Sequence, residues 1–207
     1  MSFSTAIIRM WSRIYTLKLS QWLRIKRNVW YTKWISNFIG EVGREVVIQR
    51  TLQLEGDGLD SIHIGDGTTI HSHCVLGCRR SYGKDKGFDP EIRIGKDCAL
   101  GEYTHITAIR HITIGDGLLT GRFAFIGDNA HGGLSAEEAP IPPAKRHLKS
   151  KGDVVIGKNV WLGDKVTVLS GVTIGDNVIV AANAVVTHDI PSNSMAAGSP
   201  AKVVKTL

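Results

Sequence analysis

Residues 156–186 read IGKNVWLGDKVTVLSGVTIGDNVIVAANAVV, and this stretch decides the fold. One column, at 156, 162, 168, 174, 180 and 186, holds Ile, Leu, Val, Ile, Val and Val. A second, at 160, 166, 172, 178, 184 and 190, holds Val, Val, Val, Val, Ala and Ile. Members such as Val160 and Leu162 lie two apart, so they point to the same face of a strand. Between the columns stand Gly157-Lys158-Asn159, Gly163-Asp164-Lys165 and Gly175-Asp176-Asn177. Gly, Asn and Asp accept a tight bend. A short strand and a turn cannot bury an apolar face alone, but stacked units can. The period predicts a parallel β-helix.

Outward from this run the repeat continues with interruptions. Ile64-Gly65 and Ile70 belong to it, as do Ile94-Gly95, Leu100-Gly101 and Ile106. So do Ile114-Gly115, Thr120-Gly121 and Ile126-Gly127. Three strands per turn predict roughly five coils over residues 62–190, stacked about 4.8 Å apart. Segments 77–91 and 131–153 break the count and are rich in Gly, Pro and charge, so they are expected as loops on the working face. The expected organisation is mainly β: a helical segment at 1–45, then a β-helix over 46–207 with those two inserted loops and a short C-terminal tail.

The net charge of +6 is unevenly placed. Residues 1–40 hold seven Lys or Arg and no Asp or Glu, leaving the remainder with eighteen basic and nineteen acidic residues. Trp11, Trp22, Trp30 and Trp34 lie in the same segment. The pattern suits a helix from Thr5 to Ile25, with Ile7, Met10, Trp11, Ile14, Leu17, Trp22 and Ile25 near one face and Arg9, Arg13 and Arg24 near the other. Such a helix suits a membrane surface, through residues 1–40, or packing on the β-helix or a partner subunit. Beside a broad apolar face and without a recognised module, its charge does not read as nucleic-acid binding. No apolar stretch approaches the ~20 residues of a membrane span, and no signal-peptide core is present. The expected location is cytoplasmic, including the inner face of the cytoplasmic membrane. Cys74 and Cys98 each follow a column Ile by four residues and are expected to pack inward as free thiols.

Three stretches carry a resemblance: LGEYTHITAIRHITIGDGLLTGRFAFIGDNAHGG from Leu100, IPPAKRHLKSKGDVVIGKNVWLGD from Ile141, and VVTHDIPSNSMAAGSPAKVVK from Val185. Together they resemble the hexapeptide-repeat acyltransferases, nearest to the O-acetyltransferases of bacterial surface polysaccharides of the colanic acid and O-antigen type. The resemblance covers about residues 60–207. It implies a left-handed β-helix and a homotrimer with sites in the clefts between subunits. It also implies acetyl-CoA as cosubstrate without a metal, and acetyl transfer to a hydroxyl of a sugar or glycan. The implied acceptor is a surface polysaccharide or its lipid-linked precursor; a small soluble sugar, amino sugar or antibiotic is the alternative.

The resemblance also assigns residues. His131 stands where the repeat stops, five residues past Ile126, and matches the family's general base. An imidazole can take the proton of an attacking hydroxyl and return it to a leaving thiolate. The polysaccharide enzymes often carry Asp-His-x-His here, whereas this chain reads Asp128-Asn129-Ala130-His131. Asp128 and Asn129 are candidate acceptor contacts; Asp128, Glu137, Glu138 or a backbone carbonyl are candidates to orient the imidazole. Trp161 must point outward between inward Val160 and Leu162, and it matches a residue beside the coenzyme channel. Gly163, Asp164, Ala181 and Ala182 match the groove for the pantetheine arm, and Lys202 and Lys205 match basic positions near the nucleotide phosphates.

Two other classes share the repeat. The γ-class carbonic anhydrases bind zinc through histidines, and His63, His71, His73, His105 and His111 are available here. His71-Ser72-His73-Cys74 with Cys78 has the look of a ligand set, but Cys74 lies in an inward column while its histidines point out. The other alternative is a trimeric scaffold without chemistry.

Overall fold

A computed structural model describes residues 2–207 of the chain. Its body is a three-walled prism of parallel strands, the left-handed β-helix of hexapeptide repeats. The first wall stacks Glu41–Val42, Ile62–Ile64, Glu91–Ile94, His111–Ile114, Val154–Ile156 and Thr173–Ile174. The second runs from Val47–Ile48 through Thr69–Ile70, Ala99–Leu100, Leu119–Thr120, Trp161–Leu162 and Ile179–Val180 to Ser194–Ala197. It ends on Lys202–Thr206, which folds back antiparallel. The third stacks Gln53–Glu55, Val75–Cys78, His105–Ala108, Phe125–Gly127, Thr167–Val168 and Val185–Val186.

The two columns read from the period form the core. Val160, Leu162, Val166, Val168, Val172, Ile174, Val178, Val180, Ala184 and Val186 are all buried. Cys74, Cys78 and Cys98 join them as free thiols. Each fully buried Val, Leu or Ile contributes about 1.5–3 kcal/mol, so the stack of coils is its own source of stability. At the corners Gly-Asp turns lock coil to coil: the Asp66, Asp116, Asp164 and Asp176 side chains accept the backbone N–H of Arg44, Lys96, Arg122 and Lys158.

The prism starts earlier than residue 62. Val42, Val46, Ile48, Leu52 and Leu54 continue both columns, and Glu41–Glu55 forms a complete first coil. There are six full coils, with Ile190 and Ser194–Ala197 beginning a seventh.

The N-terminal helix is two helices. Helix α1 spans Phe3–Ile14 and α2 spans Leu17–Ile35. The single helix expected over Thr5–Ile25 breaks because the Thr16 hydroxyl accepts the N–H of Leu19 and caps a new helix. Helix α2 covers the open end of the prism. The Thr32 hydroxyl accepts the N–H of Ile48 at 2.8 Å, and the Tyr31 hydroxyl donates to the Leu52 carbonyl at 3.3 Å. These bonds satisfy edge groups that would otherwise face solvent. Helix α1 leaves Ile7, Ile8, Met10, Trp11 and Ile14 exposed. No helix among the described residues is long and apolar enough to cross a membrane.

Both inserted segments leave the end of the third wall and return to the first wall. The first excursion runs over residues 79–90 and the second over residues 128–153; Gly77, Cys78 and Glu91 are strand residues. They therefore hang from the same edge of the prism, two coils apart, or about 10 Å.

Candidate active site

His131 is held by strand pairing at the base of the second excursion. Ala130–His131 pairs antiparallel with Leu148–Lys149. The take-off point is fastened through Asp128, which is fully buried. Its carboxylate accepts the N–H groups of Ile109 at 2.9 Å and Arg110 at 2.8 Å, at the corner of the coil below. Its backbone carbonyl accepts the Ser170 hydroxyl at 2.7 Å, from the coil above. Burial pushes the Asp128 carboxyl above the ordinary carboxylate range, against the pull of these donors and of the Asn129 amide. The exposed Asp57 carboxylate likewise accepts the N–H groups of Arg80 and Ser81, where the first excursion leaves this edge.

The first excursion closes around this base. Ser81–Tyr82 and Asp85–Lys86 form a hairpin on Gly83-Lys84, with Gly83 at positive φ as a two-residue turn requires. The Asp85 carboxylate accepts the N–H of Leu148 at 2.9 Å and pairs with His147. That contact, with His147 its first cause, holds Asp85 below the usual carboxylate range. Tyr82 meets His131 edge to face, with ring centroids 5.2 Å apart. A ring of contacts results: His131 pairs with the strand carrying Leu148, Leu148 is tied to Asp85, and the Asp85 hairpin returns Tyr82 to His131. The imidazole is exposed, fixed by backbone pairing and by an aromatic neighbour.

The carboxylates expected near the imidazole are engaged elsewhere. Asp128 is a buried anchor, so the expectation that it contacts acceptor is corrected: its oxygens face backbone N–H groups inside the fold. The Asn129 amide donates to the Thr107 carbonyl at 3.2 Å and to Asp128. Glu138 accepts the N–H of Gly133 at 2.6 Å and pairs with Lys149, and Glu137 is exposed.

The expected coenzyme residues come together on a different wall. Trp161 is 51% exposed, and the register Leu119–Trp161–Ile179–Met195–Lys205 crosses the second wall as one outward row. Trp161 and Lys205 stand three strands apart in it, about 14 Å. Gly163, Asp164, Ala181 and Ala182 line the edge between the second and third walls. A Cβ on Gly163 would stand 2.6 Å from the Ala182 nitrogen, so only glycine lets these coils approach. Asp164 spends one oxygen on the Arg122 N–H. Lys202 and Lys205 are exposed on the returning strand. An apolar row ending in cations suits a long arm with phosphates at one end. Within one chain, His131 and this row lie on different sides of the prism.

The zinc-like set does not converge. Cys74 and Cys78 are buried, and burial pushes their thiols up to about 11 and about 12. His71 bonds Gln49 and His73 stacks on Tyr103. Among the described residues no three His, Cys, Asp or Glu side chains are grouped to hold a metal.

Sequence reading missed Tyr82, Asp85, His147 and Leu148. The Gly83-Lys84 turn was the available signal for a hairpin; where it docks depends on the shared edge.

Comparison with known proteins bears on the repeat and the fold. The family model described as bacterial transferase hexapeptide (six repeats) matches residues 153–188. The chain is 46% identical over 110 residues to an Escherichia coli K12 protein named for lipopolysaccharide-biosynthesis O-acetyl transfer, covering 51% of this chain and 56% of that one. It is 35% identical over 101 residues to galactoside O-acetyltransferase of the same organism, covering 46% and 44%. The matches span about half the length of these curated relatives. A maltose O-acetyltransferase from Clostridium difficile superposes with a TM-score of 0.52 at 25% identity, over 84% of this chain and 72% of that one. A mutant of AntD, an N-acyltransferase from Bacillus cereus in complex with dTDP and coenzyme A, reaches 0.67 at 20% identity, over 84% and 88%, a likeness of fold. Period, inward columns and family match fall on the same coils: residues 153–188 carry the bacterial transferase hexapeptide repeat.

Proposed function

We propose that the protein is an acetyl-CoA-dependent O-acetyltransferase acting on a sugar hydroxyl, of a surface polysaccharide or its lipid-linked precursor. The observation that carries this reading is the likeness to relatives named for O-acetyl transfer to lipopolysaccharide and galactosides. In this reading His131 takes the proton of the acceptor hydroxyl as its oxygen attacks the thioester carbonyl. The C–S electron pair leaves on sulfur, which recovers that proton from the imidazolium. The products are an O-acetyl sugar and coenzyme A. A base near neutral pH suits both steps. Direct attack is the economical course, because the buried thiols offer no nucleophile.

The coenzyme arm would lie along Trp161 and the edge of Gly163, Asp164, Ala181 and Ala182, with its phosphates toward Lys202 and Lys205. His131 stands on another side of the same chain, so a homotrimer would complete each site, the base of one protomer facing the second wall of its neighbour. Coenzyme A release from acetyl-CoA with a panel of neutral, acidic and lipid-linked sugars tests the activity. Release with a sugar supports it; a folded protein releasing none with any acceptor overturns it. A soluble sugar as the sole acceptor would select the small-acceptor alternative.

Helix α1 would hold the protein against an anionic membrane surface, its exposed apolar residues dipping in and Arg9 and Arg13 meeting lipid phosphates. Salt-sensitive binding to phosphatidylserine vesicles, lost on removing residues 1–15, is expected. Binding unchanged by that removal contradicts it.

A further inference from the structure

A cluster of cations lies beside His131. The tip of the first excursion and the Pro143–Lys145 turn of the second enclose a cleft of about 480 Å³. Tyr82, Lys84, Asp85, Lys145, Arg146 and His147 line it. Tyr82 is shared: it walls the cleft and touches the His131 ring. Arg146 approaches from the other side, its aliphatic stem packed on Gly132, the residue after His131.

The lining is cationic after its internal pairs are subtracted. Asp85 is committed to His147 and to the N–H of Leu148. Arg146 donates to the carbonyls of Ile141 and Gly133, neutral partners that orient its guanidinium without cancelling its charge. Lys84 and Lys145 have no carboxylate partner among the described residues, and each lines the cleft from its own excursion. Three cations thus stand against one carboxylate. Glu138, the nearby acid of the second excursion, is taken by Lys149. Like charges held together on two separate loops repel, and an anionic ligand relieves that repulsion.

We propose that this cleft is an anion subsite for the acceptor, and that the sugar presented to His131 carries a phosphate ester or a carboxylate. The proposal rests on the acetyl-transfer reading and narrows its substrate class. Arg146, held by two carbonyls, is the orienting fork, and Lys84 and Lys145 are the flexible charges that close on the anion. Tyr82 places the sugar ring between this subsite and the imidazole.

Matched acceptors test it: galactose, galactose 1-phosphate and galacturonate, each assayed with saturating acetyl-CoA. The wild type is expected to favour one or both charged acceptors over galactose by about tenfold or more in kcat/KM, the gap narrowing as salt rises. The two charged sugars separate phosphate from carboxylate recognition. In the Lys84→Ala/Lys145→Ala double variant the ratio of charged to neutral acceptor collapses, and in Lys84→Arg/Lys145→Arg it persists. A wild-type preference for galactose overturns the proposal, as does a ratio unmoved by the alanine pair. A rise in the acetyl-CoA KM alone also overturns it, assigning the cations to the coenzyme. If no sugar is acetylated, the transfer reading fails separately. Calorimetric titration of the wild type with galactose 1-phosphate and galactose then decides the subsite by binding.

Discussion

The uninterrupted coils from Val154 to Val186 and the two excursions at 79–90 and 128–153 are built on opposite principles. In the coils every inward side chain is apolar, and neighbouring coils differ little. In the excursions the fixed points are polar and unique: Asp128 on Ile109 and Arg110, Asp85 on Leu148, and Glu138 on Gly133 and Lys149. The difference teaches where stability and chemistry reside. These uninterrupted coils hold only apolar side chains inside and so offer no reactive group. Its interruptions, fastened by directional bonds to rigid coils, can hold an exposed imidazole in place.

This contrast can be broken by substitution. Leu162→Ala, at a fully buried column position, is expected to cost about 2–5 kcal/mol. Leu134→Ala, at a fully exposed position of the second excursion, should stay within about 0.5 kcal/mol. Denaturant midpoints measure both, and similar losses would abolish the distinction. Asp128→Asn comes next, at about 1–3 kcal/mol, because an amide cannot accept both the Ile109 and Arg110 N–H groups. Transferase activity should fall with it, since the variant loosens the root of the His131 strand; retained stability and activity would remove Asp128 as anchor.

The smallest effect is on pH. Asp85 has a folded pKa lowered by its contact with His147, so its link between excursions is fully present above the ordinary Asp value near 4 and lost as pH falls through the lowered value. The Tyr82–His131 ring contact, followed by NMR, should part in strong acid before the coils melt. Simultaneous loss would mean that the excursions and the prism are one cooperative unit.

The sequence made the coils legible because a period repeats its own evidence. Val160, Leu162 and their column mates lie inward, and Trp161 lies outward as the alternation requires. The first coil escaped notice: Val42, Ile48 and Leu54 keep the spacing, but its corners carry Arg44-Glu45 and Arg50-Thr51 instead of Gly-Asp pairs. The break at Tyr15-Thr16 was hidden by an apolar pattern that runs across it, although Thr16 is a good capping residue. The site was legible only in part. His131 is marked by the end of the repeat, but Tyr82 and Asp85 lie about fifty residues upstream and join it only because both excursions leave one edge. Such a meeting depends on counting walls rather than residues, and no local spacing encodes it. Asp128 reads as a candidate because it stands three residues before His131, the candidate base, whereas its burial makes it an anchor.

The central claim is that the second excursion holds the base for acetyl transfer. Its most direct test is the rate of coenzyme A release with an acetylated acceptor for wild type and His131→Ala, both confirmed folded by their denaturation midpoints. The account predicts a fall in kcat of about 10²–10⁴ for the variant with little change in stability. A His131→Ala protein that transfers acetyl at the wild-type rate would contradict it.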